Sequence, residues 1–136
     1  LSVLISGANP TAEVLSFSNK ISITGWVDDI RESYAKSKVF VAPMFIGTGL
    51  QNKLLEALAL GMPCVTTPLA HKPLNCGDEI VSKAEDVESF AKAILNLLQD
   101  YQNREKREAR KGFVKTNFDW YSINQKLSEL MLTKNK

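Results

Sequence analysis

Residues Pro43 to Pro63 read P-M-F-I-G-T-G-L-Q-N-K-L-L-E-A-L-A-L-G-M-P, a glycine-paired loop that feeds directly into a helix. Gly47 and Gly49 flank Thr48, and the spacing predicts a helix that opens near Leu50, carries Asn52, Lys53 and Glu56, and stops at Gly61. Two glycines beside a helix start let backbone amides approach an anion closely. The positive end of the helix dipole favours negative charge at the same place. The functional site is expected here.

Working outward, the residues before this stretch alternate short apolar runs with helical patterns. Leu1 to Ile5 reads as a buried strand that ends in a Gly7/Pro10 turn. Pro10 to Ser18 reads as a short helix, and Ile21 to Thr24 as a second strand closed by Gly25. Asp28 or Asp29 is placed to cap a helix through Ile30, Tyr34 and Ala35. Lys38 to Ala42 is the third strand. Beyond the loop and its helix, Pro63 to Thr67 is expected as a fourth strand and Glu79 to Ser82 as a fifth. Asp86 caps an amphipathic helix with Val87, Phe90, Ala91, Ile94, Leu95 and Leu98 on one face. A charged helix follows over 102–116, then a last helix with Ile123, Leu127, Leu130 and Met131 on one stripe. The strands are continuous apolar runs rather than alternating ones. The class is therefore α/β, a Rossmann-like parallel sheet with helices on both faces, read as a single domain over 1–136.

Composition narrows the function classes. The 136 residues are enough for a buried core, and 44% apolar and 24% charged content is ordinary for a globular domain. A net charge of +2 does not argue for nucleic acid, and none is expected as a partner. No apolar run is long enough to span a bilayer, and the opening run reads as a strand rather than a signal peptide. Cys64 and Cys76 lack metal-ligand spacing, and two lone thiols fit a reducing compartment. A cytoplasmic setting is expected, with a peripheral position at the inner membrane face as its variant. The start at Leu1, without methionine, is read as a piece of a longer protein.

The chemistry of the central stretch follows from helical geometry. At about 100° per residue, Asn52, Lys53 and Glu56 share one arc of the helix, while Leu54, Leu55 and Leu58 face elsewhere. Glu56 lies on the order of 9 Å along the axis from Leu50. A phosphate at the helix mouth would leave that carboxylate one to two turns away, within reach of sugar hydroxyls. A nucleotide diphosphate suits this spacing better than a lone phosphate. Spacing alone leaves a plain reading equally open: a tight glycine turn, with Lys53 and Glu56 as a surface pair.

The string V-D-D…A-x-x-x-V-F-V-A-P…G-T-G-L-Q-N-K-L-L-E-A-L-A-L-G-M-P-C-V-T-T resembles the carboxy-terminal, donor-binding half of GT-B fold glycosyltransferases, the group 1 (family 4-like) retaining enzymes. The resemblance runs from Ile5-Ser6-Gly7 to Phe118-Asp119-Trp120. It implies that the chain binds a nucleotide-diphosphate sugar, a UDP- or GDP-sugar, as substrate rather than cofactor, with no bound metal. By position, Gly47, Thr48, Gly49, Leu50 and Gln51 would hold the diphosphate and donor sugar, and Glu56 the ribose. Lys53 matches a lysine common in one branch. Thr48 stands where the family's first E-x7-E glutamate falls, and Ala70-His71-Lys72-Pro73 replaces the usual A-x-E-G segment. The family's basic Arg/Lys pair and its acceptor-binding amino-terminal domain have no counterpart in these residues. A glycan or glycolipid acceptor would be met through that other domain, and transfer by this stretch alone is not expected. The alternative function is a non-catalytic nucleotide- or phosphate-binding module. A receiver-like domain would need acidic residues after the first strand, where Ser6-Gly7-Ala8 stands.

The remaining features read as structural. His71 is expected as a loop histidine rather than a catalytic base, and Asp28-Asp29 as a cap rather than a metal site. Arg104, Arg107, Lys111 and Lys115 form a basic stripe read as a solvated face rather than a membrane surface. Trp26 and Trp120 read as core or domain-packing residues rather than base-stacking platforms, with Trp26 the better candidate to line a cleft. The family's sheet begins one strand earlier than this chain. An interrupted sheet, or edge pairing between copies to give a homodimer, is expected.

Overall fold

The computed structural model describes residues 1–47 and 49–133. Among the described residues the strands pair in two parallel sets, β1 with β2 and β3-β4-β5, and β2 is not paired with β3. Two compact units result, Leu1–Lys38 and a second beginning at Val39.

The first unit holds β1 (Leu4–Ile5), α1 (Ala12–Leu15), β2 (Ser22–Ile23) and α2 (Ile30–Ala35). Leu4 registers with Ser22 and Ile5 with Ile23. The helix expected from Pro10 to Ser18 is a single turn over Ala12–Leu15, capped by the Thr11 hydroxyl. The Ser16 hydroxyl donates back to the Glu13 carbonyl at 2.6 Å, and residues that compete in this way for local backbone groups favour turns over helix. Of the two aspartates, Asp29 caps α2, accepting the Arg31 N–H at 2.9 Å.

The second unit holds β3 (Phe40–Ala42), α3 (Asn52–Ala59), β4 (Cys64–Thr66), α4 (Pro68–His71), a 3-10 turn (Lys72–Leu74), β5 (Ser82–Lys83), α5 (Val87–Asp100), α6 (Arg104–Phe118) and α7 (Trp120–Thr133). β4 lies between β3 and β5, and all three of its residues are buried. That is why its sequence is a continuous run with no polar alternation. Val65, Ala84 and Phe90 form a core cluster against Val39, Ala93, Ile94 and Leu97. The face of α5 is thus turned from the one expected: Val87 and Leu95 are exposed, and Ala93 and Leu97 face the core instead. The fifth strand begins at Ser82 rather than Glu79, because Ile80 and Val81 donate back to the Gly77 carbonyl and hold 77–81 as a turn.

Three further expectations are corrected. His71 is not in a loop; it is the last, buried residue of α4. Neither tryptophan is a core residue, each being 76% exposed. The charged helix is shifted to Arg104–Phe118, and within it Arg110 is buried, with Nε and Nη1 lacking a hydrogen-bond partner. Burial lowers the Arg110 pKa, opposed by nearby Cys64 and Asp100. The last helix forms as expected, but Ile123, Leu127, Leu130 and Met131 are all exposed along it.

Candidate functional site

The glycine loop leaves the carboxyl end of β3, and its root is fixed by the neighbouring strand. The buried Thr66 hydroxyl donates to the Ala42 carbonyl at 2.7 Å, and the Thr67 hydroxyl donates to the Met44 carbonyl. The Met44 N–H closes onto Ala42 as well, at 2.9 Å. Two hydroxyls at the end of β4 therefore brace the first residues of the loop. Sequence reading missed both threonines. Their only signal was the T-T pair after an apolar run.

Gly47 has φ +129° and Gly49 φ +77°, regions that side chains rarely adopt. Space is not the reason at Gly49, since a Cβ there would meet nothing within 4 Å. At Gly47 a Cβ would make ordinary contact with Gln51 Nε2 at 3.7 Å, so the Gln51 side chain reaches back over the loop. Thr48 lies outside the described residues. Phe45 and Ile46 are exposed, at 65% and 87%, and Leu50 is partly so.

The helix opens two residues later than expected, with Gln51 as its N-cap and Leu50 still in the loop. The Gln51 side chain makes no cap bond, and the first turn of α3 holds no acidic residue. The positive end of this helix is therefore not compensated by its own side chains, as an anion-binding end requires. Leu54, Ala57 and Leu58 are buried, which turns Asn52, Lys53 and Glu56 to the exposed side, as the periodicity predicted. From Asn52, Glu56 stands about 6 Å along the axis.

The far end of α3 is tightly built. Gly61 at φ +77° donates to the Leu58 carbonyl at 2.8 Å, and Met62 donates to Ala57 at 3.0 Å, the two bonds of a Schellman stop. A Cβ on Gly61 would strike Arg107 Cγ and lie 3.0 Å from the Arg107 carbonyl. α6 thus crosses α3 where only glycine fits. Arg107, read as part of a solvated stripe, has its stem against this glycine. Lys111 pairs with Glu108 at 2.9 Å.

After β4, His71 Nε2 lies 3.7 Å from Cys76 Sγ and 3.9 Å from Asp78 Oδ1, and Lys83 Nζ lies 3.0 Å from the same Asp78 oxygen. Burial, then Lys83, pushes the His71 pKa down against the opposing effects of Asp78 and a hydrogen bond to the Val81 backbone. Burial, then Glu79, pushes the Cys76 thiol up. The imidazole and the thiol tie the segment after β4 together. Cys64 is sealed in β4, its thiol pushed up to about 12 by burial against the attraction of Arg110. Among the described residues, no group of three or more His, Cys, Asp or Glu side chains could hold a metal ion. An open cleft of about 470 Å³ is lined by Ala59, Lys111, Val114, Lys115 and Trp120, among others, and includes none of the predicted site residues.

A parallel sheet flanked by helices, with a braced glycine loop at a strand's carboxyl end, defines a Rossmann-like α/β architecture. A family model described as "Glycosyl transferases group 1" matches residues 1–100, and the chain belongs to that family. Two solved structures share the fold. One is Anabaena HepE in complex with UDP, at 15% identity and a TM-score of 0.79, covering 98% of this chain and 41% of that one. The other is a glycosyltransferase from Rickettsia africae, at 17% identity and a TM-score of 0.77, covering 96% and 39%. The chain therefore spans about two fifths of these relatives. No curated protein matches it in sequence. No helix among the described residues is long and apolar enough to cross a membrane.

Proposed function

We propose that this chain is the donor-binding part of a retaining glycosyltransferase that takes a UDP- or GDP-sugar and transfers its glycosyl group to a hydroxyl of a glycan or glycolipid. The observation that carries this is the paired positive-φ glycines, braced by Thr66 and Thr67, in front of an uncapped α3. The diphosphate takes the amides from Gly47 to Gln51, Thr48 included, where close backbone approach and the helix end act together. Glu56 accepts from the ribose hydroxyls, and Lys53 offers a cation one turn before it. The UDP carried by the Anabaena relative supports a nucleotide ligand. Two free cysteines agree with a cytoplasmic setting. Polysaccharide or glycolipid synthesis is the corresponding process.

Titration calorimetry of the chain with UDP, GDP and pyrophosphate tests this. Binding of at least one nucleotide is expected, and Glu56→Ala is expected to weaken nucleotides about tenfold while sparing pyrophosphate. Failure of every one of these ligands to bind would sink the reading. Turnover with a donor sugar and an acceptor, measured on the longer protein, separates a transferase from a binding module that keeps Thr48 in place of a glutamate.

A further inference from the structure

Thr67 is the N-cap residue of α4, a position where threonine ordinarily turns its hydroxyl to the backbone of its own helix. Here it makes no cap bond. Its hydroxyl donates instead to the carbonyl of Met44, 23 residues earlier, at the root of the glycine loop. The residue is buried, where a hydrogen bond is stronger than in water. Its backbone is anchored as well, since the Thr67 carbonyl accepts the His71 N–H at 3.0 Å.

The chain that this hydroxyl grips is already bent. The Met44 N–H donates to Ala42 across Pro43, a three-residue turn whose φ the proline ring supplies. Ala42 also accepts the Thr66 hydroxyl, so the end of β3 is held twice, and Met44 is the next point held beyond it. The Met44 side chain then reaches forward under the loop: a Cβ at Gly47 would lie 3.9 Å from Met44 Cε. Thr67, Met44 and Gly47 form one line of contacts from β4 to the loop.

We propose that Thr67 is a positioning residue for the donor's diphosphate, acting through Met44 on Gly47, an inference that rests on the nucleotide-binding reading above. Its hydroxyl fixes the direction in which the loop leaves β3, and the Met44 side chain carries that placement to Gly47. Thr67 touches no ligand itself. Its effect falls on the phosphate end, so nucleotides and pyrophosphate lose affinity alike, in contrast to the effect expected at Glu56.

Titration calorimetry of the full chain with UDP, GDP and pyrophosphate, beside urea unfolding, tests this. Thr67→Ser and Thr67→Ala differ by one hydroxyl. Thr67→Ala is expected to weaken all three ligands about tenfold, and Thr67→Ser to stay within about twofold of the parent. If Thr67→Ala does not fold, Thr67→Val removes the hydroxyl while keeping the volume. Asp86→Ala separates position from stability, because it lowers the urea midpoint at the start of α5 and leaves the affinities unchanged. Parent affinity without the hydroxyl, equal losses with and without it, or a loss that spares pyrophosphate overturns the positioning role and leaves the donor reading standing. No binding of UDP, GDP or pyrophosphate by the parent chain removes the donor reading and the positioning role with it.

Discussion

α3 and α5 both pack on the three-stranded sheet, α3 on β3 and β4 and α5 on β4 and β5, yet they begin in opposite ways. α5 opens with a complete capping box: Asp86 accepts the Ser89 N–H at 2.7 Å, and the Ser89 hydroxyl accepts the Asp86 N–H at 3.1 Å. α3 opens on Gln51, whose side chain caps nothing, behind two glycines at positive φ. The first helix start is satisfied from within. The second has no such cap; α3 is held instead at its far end, through Gly61, and the loop before it is held at its root, through Thr66 and Thr67. A helix end can be kept available for a ligand when the rest of the element is held by other contacts.

Three changes break or sharpen this contrast. The largest effect is expected from Gly61→Val, which forces a branched side chain into φ +77° against Arg107. It should cost about 3 kcal/mol in urea unfolding and lower expression. A loss under 1 kcal/mol would mean that α6 moves aside freely. Next, Gln51→Asp makes α3 resemble α5. It should stabilise the chain by about 1 kcal/mol through the new cap while weakening UDP about tenfold, since the carboxylate occupies the anion's place. Stability and affinity rising together would refute the assignment of that helix end to phosphate. The smallest effect is at α5. Asp86→Ala should lower the urea midpoint and leave UDP affinity untouched.

The same carboxylate gives a pH signature to the parent chain. The Ser89 backbone N–H, and then its hydroxyl, hold the Asp86 carboxyl below its ordinary 3.8. A depressed carboxyl contributes stability above the unfolded value and loses it as pH falls through the folded one. The midpoint difference between parent and Asp86→Ala should therefore shrink below about pH 3.8.

Much of this was legible. The Asp86 cap, the Gly61 stop and the β3 and β4 runs are local signals, each carried by residue type and spacing. The exposed arc of Asn52, Lys53 and Glu56 follows from the same periodicity. What escaped reading depends on partners distant in sequence. Thr66 and Thr67 brace the loop only because β4 registers beside β3, Ala42 against Thr66. β1, β2 and β5 are two residues each, too short for a pattern to set their limits. The turn at Gly77 sets the start of β5, as the Ser16 bond sets the end of α1. The face of α5 was misplaced because Val87 and Leu95 fit the helical stripe as well as Ala93 and Leu97 do. Arg110 looked like one more cation of a charged helix, and only packing reveals it as buried.

The crossing at Gly61 bears on how this domain is made and where it can be cut. The family match ends at residue 100, whereas the backbone that closes over Gly61 belongs to Arg107. During synthesis α3 leaves the ribosome well before α6 exists, so the helix that presents the glycine loop waits for a later part of the chain to seal its rear. A piece trimmed to the family boundary would keep every residue of the loop and lose the helix that closes α3.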